Sequence, residues 1–132
     1  MIDLKAAERL LDFGARIGQG ARAREQLEGA VALKNILETH RVGYLADEVG
    51  MGKTYVALGA LALFRHYDPD FRVLVIAPQE NIQNKWMKEM SNFVANNVRF
   101  PDLRVRSIEG RPARPLAACG NLIEFAREVV RD

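Results

Sequence analysis

The sequence predicts an α/β fold built from parallel βαβ units, with about three strands and a helical segment at the N-terminus. Three observations carry this. VGYLA at 42–46 is short, apolar and bounded by turn residues, like a buried strand. RVLVIAP at 72–78 contains Val73, Leu74, Val75 and Ile76 in an unbroken run stopped by Pro78, the pattern of a parallel strand covered on both faces. Helical patterns alternate with these runs, and such alternation implies right-handed parallel crossovers.

Each element follows from its spacing. Residues 4–16 place Leu4, Ala7, Leu10, Leu11 and Ala15 at helical intervals, and the GQG at 18–20 ends the pattern. Residues 22–39 read as a second helix carrying Leu27, Val31, Leu33, Ile36 and Leu37. After the first strand and the turn GMGKT, residues 54–67 read as a helix that the Asp68-Pro69-Asp70 breaker stops. Residues 81–97 are helical, with Ile82, Trp86, Met90 and Phe93 near one stripe. LRVRSI at 103–108 alternates as a third, half-polar strand, GRPARP at 110–115 is a loop, and 121–131 forms a last helix with Leu122, Phe125, Ala126 and Val129 apolar. Three parallel strands leave two open edges and a thin core, so the chain reads as the first part of a larger domain. Those edges are also a route to self-association.

Composition bounds the function. At 132 residues, 48% hydrophobic and 27% charged, the chain reads as one ordinary globular domain. No apolar run approaches the ~18 residues of a membrane span, and no signal-peptide core is present, so the expected setting is cytoplasmic or nucleoid-associated. The single cysteine, Cys119, excludes an internal disulfide, and neither His40 nor His66 has cysteines or carboxylates clustered near it, which argues against zinc. Net charge is only +2, but the segment 99–114 holds Arg99, Arg104, Arg106, Arg111 and Arg114 against Asp102 and Glu109. Such a segment faces either an anion or water.

The chemistry concentrates at YLADEVGMGKTYVAL, residues 44–58. A strand feeding a glycine-rich turn that opens a helix is the setting a triphosphate needs. Backbone N–H groups of the turn point inward, and the helix N-terminus adds the positive end of its dipole. Gly50 and Gly52 let backbone approach the ligand, Lys53 reaches the β and γ phosphates, and the Thr54 hydroxyl binds Mg²⁺. The strict pattern G-x-x-x-x-G-K-[ST] is not met, because Asp47 stands at its first position. The bland alternative is a glycine turn with Lys53 solvated on a helix.

LADEVGMGKT resembles the first motif of the Swi/Snf-type ATPases of the superfamily-two helicases, with Leu45, Ala46, Asp47, Glu48, Gly50, Gly52, Lys53 and Thr54 in the matching places. REQLEGAVAL at 24–33 is similar to the glutamine motif of that family, with Gln26 as the adenine reader. A side-chain amide donates and accepts at once, which suits an adenine edge. VLVIAPQENIQNKWMKEM at 73–90 looks like the next motif, an apolar strand, Ala77-Pro78, then Trp86 and Glu89. RVRSIEGR at 104–111 is a weaker match. The resemblance covers about 22–111. It implies a P-loop, RecA-like three-layer fold, here incomplete. Residues 1–21 would be an N-terminal helical extension, and 22–132 the first part of an ATP-binding domain that stops before the second helicase motif.

By the same resemblance, ATP and Mg²⁺ are the cofactors. Lys53 and Thr54 are the catalytic positions, Gln26, Asp47, Glu48, Val49, Gly50, Met51, Gly52, Lys53 and Thr54 hold the nucleotide, and Thr54 holds the metal. Ala77, Pro78 and Gln79 sit where family members pass a nucleic-acid strand, or else form a strand-ending turn. DNA and the remainder of the helicase core are the implied partners, and no membrane is.

The chain departs from the family pattern in four places. The arginine usual three residues before the glutamine is replaced by Ala23, and the span from Pro78 to Trp86 is one residue longer than usual. The only Asp-Glu pair is Asp47-Glu48, inside the phosphate turn, so the carboxylates that hydrolysis needs are not supplied. A second RecA-like domain with its arginine finger is missing too. The intact parent reads as an ATP-dependent DNA translocase or helicase, and this chain alone as inactive. The competing reading is a non-catalytic nucleotide-binding, nucleic-acid-binding or interaction module derived from such a domain.

Overall fold

The computed structural model describes residues 1–15, 17–46, 52–68, 70–99 and 118–130. Five helices follow in order: α1 (Leu4–Leu10), α2 (Ala21–His40), α3 (Lys53–Tyr67), α4 (Glu80–Asn96) and α5 (Leu122–Val129).

Local chemistry explains the helix ends. Asp3 caps α1, its Oδ1 accepting from the N–H of Ala6 at 2.7 Å, and Asn121 caps α5 in the same way through the N–H of Glu124 at 2.9 Å. The long α2 ends at Arg41, which takes a left-handed φ of 67° and donates its N–H to the Leu37 carbonyl at 2.9 Å. The first helix is shorter than its sequence pattern. Leu11 turns extended and forms an antiparallel bridge with Val98. Asp12 N–H donates to the Asn97 carbonyl at 2.7 Å, and Arg99 N–H donates to the Leu10 carbonyl at 2.8 Å. The Asn97 amide donates to the Asp12 carbonyl at 2.7 Å, and Arg99 adds an ion pair to Asp12 at 3.3 Å. Competition from a distant segment therefore stops α1, not a missing local signal.

The core lies where α2 packs on α3, closed on one side by α1 and the segment after it and on the other by α4. Ala7, Leu11, Phe13, Leu27, Ala30, Leu63 and Phe93 are buried in it. Phe93 holds the centre, with the rings of Phe13 and Tyr55 each 5.8 Å away. Trp86 and Met90 pack half-buried against the same cluster, so Trp86 is a core-side residue.

The parallel sheet is corrected. Among the described residues no strand ladder forms, and Leu11 with Val98 is an isolated bridge. Residues 42–46 and 72–78 adopt no regular pairing, and Leu74 and Ile76 are 62% and 85% exposed. The third expected strand, 103–108, lies outside the described residues. The physical reason is that an all-apolar run becomes a central strand only when neighbours take its N–H and C=O groups and helices cover both its faces. Here α2 and α3 bury their apolar faces against each other, and the run at 73–76 finds neither ladder nor cover.

Candidate nucleotide site

The site is assembled from two helices. Gly52 takes φ 74° and ψ 36°, the left-handed region, and stands at the N-cap of α3. Glycine adopts this conformation without steric cost. Its carbonyl accepts the N–H of Val56 at 3.1 Å, which starts the helix and leaves Lys53 and Thr54 in the first turn, both half-buried. The first turn of an α-helix has N–H groups without intrahelical acceptors and the positive end of the helix dipole.

Gln26 comes from the middle of α2 and is only 7% exposed. Its side-chain amide lies against Gly52, filling the space that a Cβ there would occupy. Two residues singled out from separate sequence motifs thus touch. Beside them is a cavity of about 290 Å³. Arg22, Glu25, Gln26, Leu33, Tyr44 and Val56 are among its lining residues. Arg22 and Glu25 bring charge to one end, while Leu33, Tyr44 and Val56 supply apolar wall. An amide within an apolar wall is the arrangement that orients a flat heteroaromatic ligand.

Sequence reasoning did not place Glu25, Gly29, Leu33, Tyr44 and Val56 at the site. The signal for part of this was available. Positions 22, 25, 26, 29, 33 and 36 form one i, i+3, i+4 stripe of α2, so naming Gln26 names its neighbours.

The other expected residues fall as follows. Asp47, Glu48, Val49, Gly50 and Met51 lie outside the described residues. Ala77, Pro78 and Gln79 lead into α4, with Ala77 half-buried and Pro78 and Gln79 exposed. Gln79 is the N-cap, its carbonyl accepting from Gln83 N–H at 3.0 Å. Among the described residues no hydrogen bond or ion pair joins these three to Gln26 or Gly52. Apart from Arg99, the basic segment 99–114 also lies outside the described residues. No group of three or more histidines, cysteines or carboxylates capable of holding a metal occurs among the described residues. The Thr54 hydroxyl, in the first turn of α3, is a hard oxygen donor of the kind Mg²⁺ takes beside phosphate oxygens.

The family described as "Type III restriction enzyme, res subunit" matches residues 20–117, which include Gln26, Asp47 to Thr54 and Ala77 to Gln79. The chain belongs to this family. It is also similar to a protein called chromatin-remodeling ATPase INO80. The Drosophila melanogaster relative is 38% identical over 89 residues, covering 67% of this chain and 5% of the relative. The relative from Cryptococcus neoformans var. neoformans serotype D (strain B-3501A) is 41% identical over 77 residues, 58% of this chain and 4% of the relative. That from Pyricularia oryzae is 38% identical over 81 residues, 61% of this chain and 4% of the relative. No solved structure matches the chain. The resemblance to Swi/Snf-type superfamily-two ATPases therefore holds, and the chain corresponds to a portion of a helicase/ATPase of that superfamily. It spans about a twentieth of the length of these relatives. Among the described residues no helix is long and apolar enough to cross a membrane.

Proposed function

We propose that this chain is the ATP-binding portion of an ATP-dependent DNA translocase or helicase. The observation that supports the reading is the contact between Gln26 and Gly52, which sets a side-chain amide beside the N-terminus of α3. In this reading the adenine enters the cavity beside Gln26, whose amide donates to and accepts from its edge. The β and γ phosphates lie at the N-terminus of α3, where Lys53 adds a full positive charge to the helix dipole. By the resemblance, Asp47, Glu48, Val49, Gly50 and Met51 are the further nucleotide-holding positions. The Thr54 hydroxyl would hold Mg²⁺, which when bound would neutralise phosphate charge. The work of Lys53 and of the α3 terminus is electrostatic, aimed at the charge on phosphate oxygens, and no covalent intermediate is involved.

Residues 22–132 form the portion of the ATP-binding domain, and 1–21 an N-terminal extension folded onto it. Ala77, Pro78 and Gln79 border the path of the nucleic acid. DNA and the rest of the helicase core are the partners, in a cytoplasmic or nucleoid-associated setting. The exposed residues 73–76 fit a surface that the rest of that core covers. The chain alone binds ATP weakly and hydrolyses none, because its sequence supplies no carboxylate pair outside the phosphate turn.

Fluorescent-ATP titration of the chain tests this, with unlabelled ATP, GTP and tripolyphosphate as competitors. Saturable binding that Lys53→Ala abolishes and Gln26→Ala weakens is expected. ATP binding unaffected by both substitutions, or a preference for GTP, overturns the reading.

A further inference from the structure

Three contacts ascend together along α2 and α3. Gln26 meets Gly52, Gly29 meets Val56, and Ala30 meets Gly59. The two helices therefore run in the same sense at their crossing, and the row of contacts leads to the nucleotide site. Glycine in the contact allows this closeness. A Cβ on Gly29 would stand 3.2 Å from Val56 Cγ1, tighter than ordinary van der Waals contact. A Cβ on Gly59 would stand 3.0 Å from the Ala30 Cβ and 2.6 Å from Phe13 Cζ. At Gly59 both neighbours are confined. Val56, Ala30 and Phe13 are buried, and the Phe13 ring is held against Phe93.

Glycine inside a helix costs about 1 kcal/mol relative to alanine. Local stability thus favours alanine at both positions, and only the approach of the helices favours glycine. Gly29 lies three residues from Gln26, ~4.5 Å along the axis of α2. Spreading the helices at Gly29 moves the Gln26 amide away from Gly52 by a similar amount.

We infer that Gly29 and Gly59 are positioning residues of the nucleotide site. They set the distance between the base-reading amide on α2 and the phosphate-binding turn on α3, and so the span of ligand that both ends hold together. This rests on the nucleotide reading above and adds a geometric requirement to it. A ligand that uses both ends, such as ATP, is sensitive to the crossing. A ligand that uses only the phosphate end, such as tripolyphosphate, is not.

The test compares ATP and tripolyphosphate affinities of the whole chain and its Gly29→Ala variant, where the clash is a few tenths of an ångström and helix propensity improves. Gly29→Ala is expected to weaken ATP by about 3- to 10-fold, the equivalent of one lost hydrogen bond. Its tripolyphosphate affinity stays at the wild-type level, and its preference for ATP over GTP falls. Gly59→Ala, at a position that does not line the cavity, is expected to give the same selective loss of ATP, which separates positioning from a methyl group entering the cavity beside Gly29. Equal losses for ATP and tripolyphosphate, no loss for either, or a selective loss in Gly29→Ala alone overturns the inference while leaving the site itself in place. Lys53→Ala and Gln26→Ala run alongside. If ATP affinity responds to neither, the nucleotide reading has failed and the inference falls with it.

Discussion

The side-chain amide of Gln26 occupies the space that a Cβ on Gly52 would need. The two residues come from different helices and different sequence motifs, and their contact couples the backbone of the turn to a side chain of α2. Gly52→Ala is therefore expected to destabilise twice over. The left-handed φ of 74° costs a residue with a Cβ about 1–2 kcal/mol, and displacing the amide adds to that. In a Gln26→Ala background the second part disappears. A double-mutant cycle by denaturant unfolding should show a coupling between the two sites, and strict additivity would contradict the contact.

Lys53 stands at the N-terminus of α3, where a cation opposes the helix dipole, and it makes no ion pair among the described residues. Lys53→Ala should accordingly leave stability unchanged or raise it by ~0.3–1 kcal/mol while removing ATP binding. Thermal melts and the titration, read on the same sample, separate these effects. A lower melting temperature would mean that Lys53 has a structural role.

Phe13 precedes the stretch matched by the family, yet it is buried against Phe93 and reaches the face of Gly59. Phe13→Ala should cost about 3–5 kcal/mol, the range for losing a buried aromatic ring. That is a large part of the ~5–15 kcal/mol stability of a typical domain. Urea unfolding measures it, and a loss below 1 kcal/mol would show that the N-terminal segment rests only loosely on the core.

Glu38 is held below its ordinary value of 4.5, first by its hydrogen bond to the Lys34 ammonium and then by the amino group of Met1. Lys34 is itself 6% exposed, its Nζ 5.5 Å from the ring centres of both Phe64 and Tyr67. A carboxylate with a lowered folded pKa contributes stability that is complete above its unfolded value and is lost as pH falls through the folded one. Stability should thus decline below about pH 4.5 more steeply in the wild type than in Glu38→Gln, which cannot titrate. Denaturant midpoints across the acid range check this, and parallel acid limbs would show that the pair does not govern acid unfolding.

The helices were largely legible from the sequence. Expected spans of 22–39, 54–67 and 81–97 match α2, α3 and α4 to within a residue at each end. The Asp68-Pro69-Asp70 breaker marked where α3 stops. The stop of α1 at Leu10 was not legible, because Leu11 is drawn into pairing with Val98, far away in sequence. Gln26 was singled out by resemblance, but Tyr44 and Leu33 were not, since neither carries chemistry until a cavity forms beside them.

The sequence by itself determined most of the helix spans and the family, because helix hydrogen bonds close within four residues and motifs are written contiguously. Only the tertiary structure decided that residues 73–76 stay unpaired and exposed, that Phe13 joins the core, and that Gln26 meets Gly52. Each of these depends on which distant segment arrives as a neighbour. An apolar run records a demand for burial, and what meets that demand is settled in three dimensions by the competition among all the surfaces that share it.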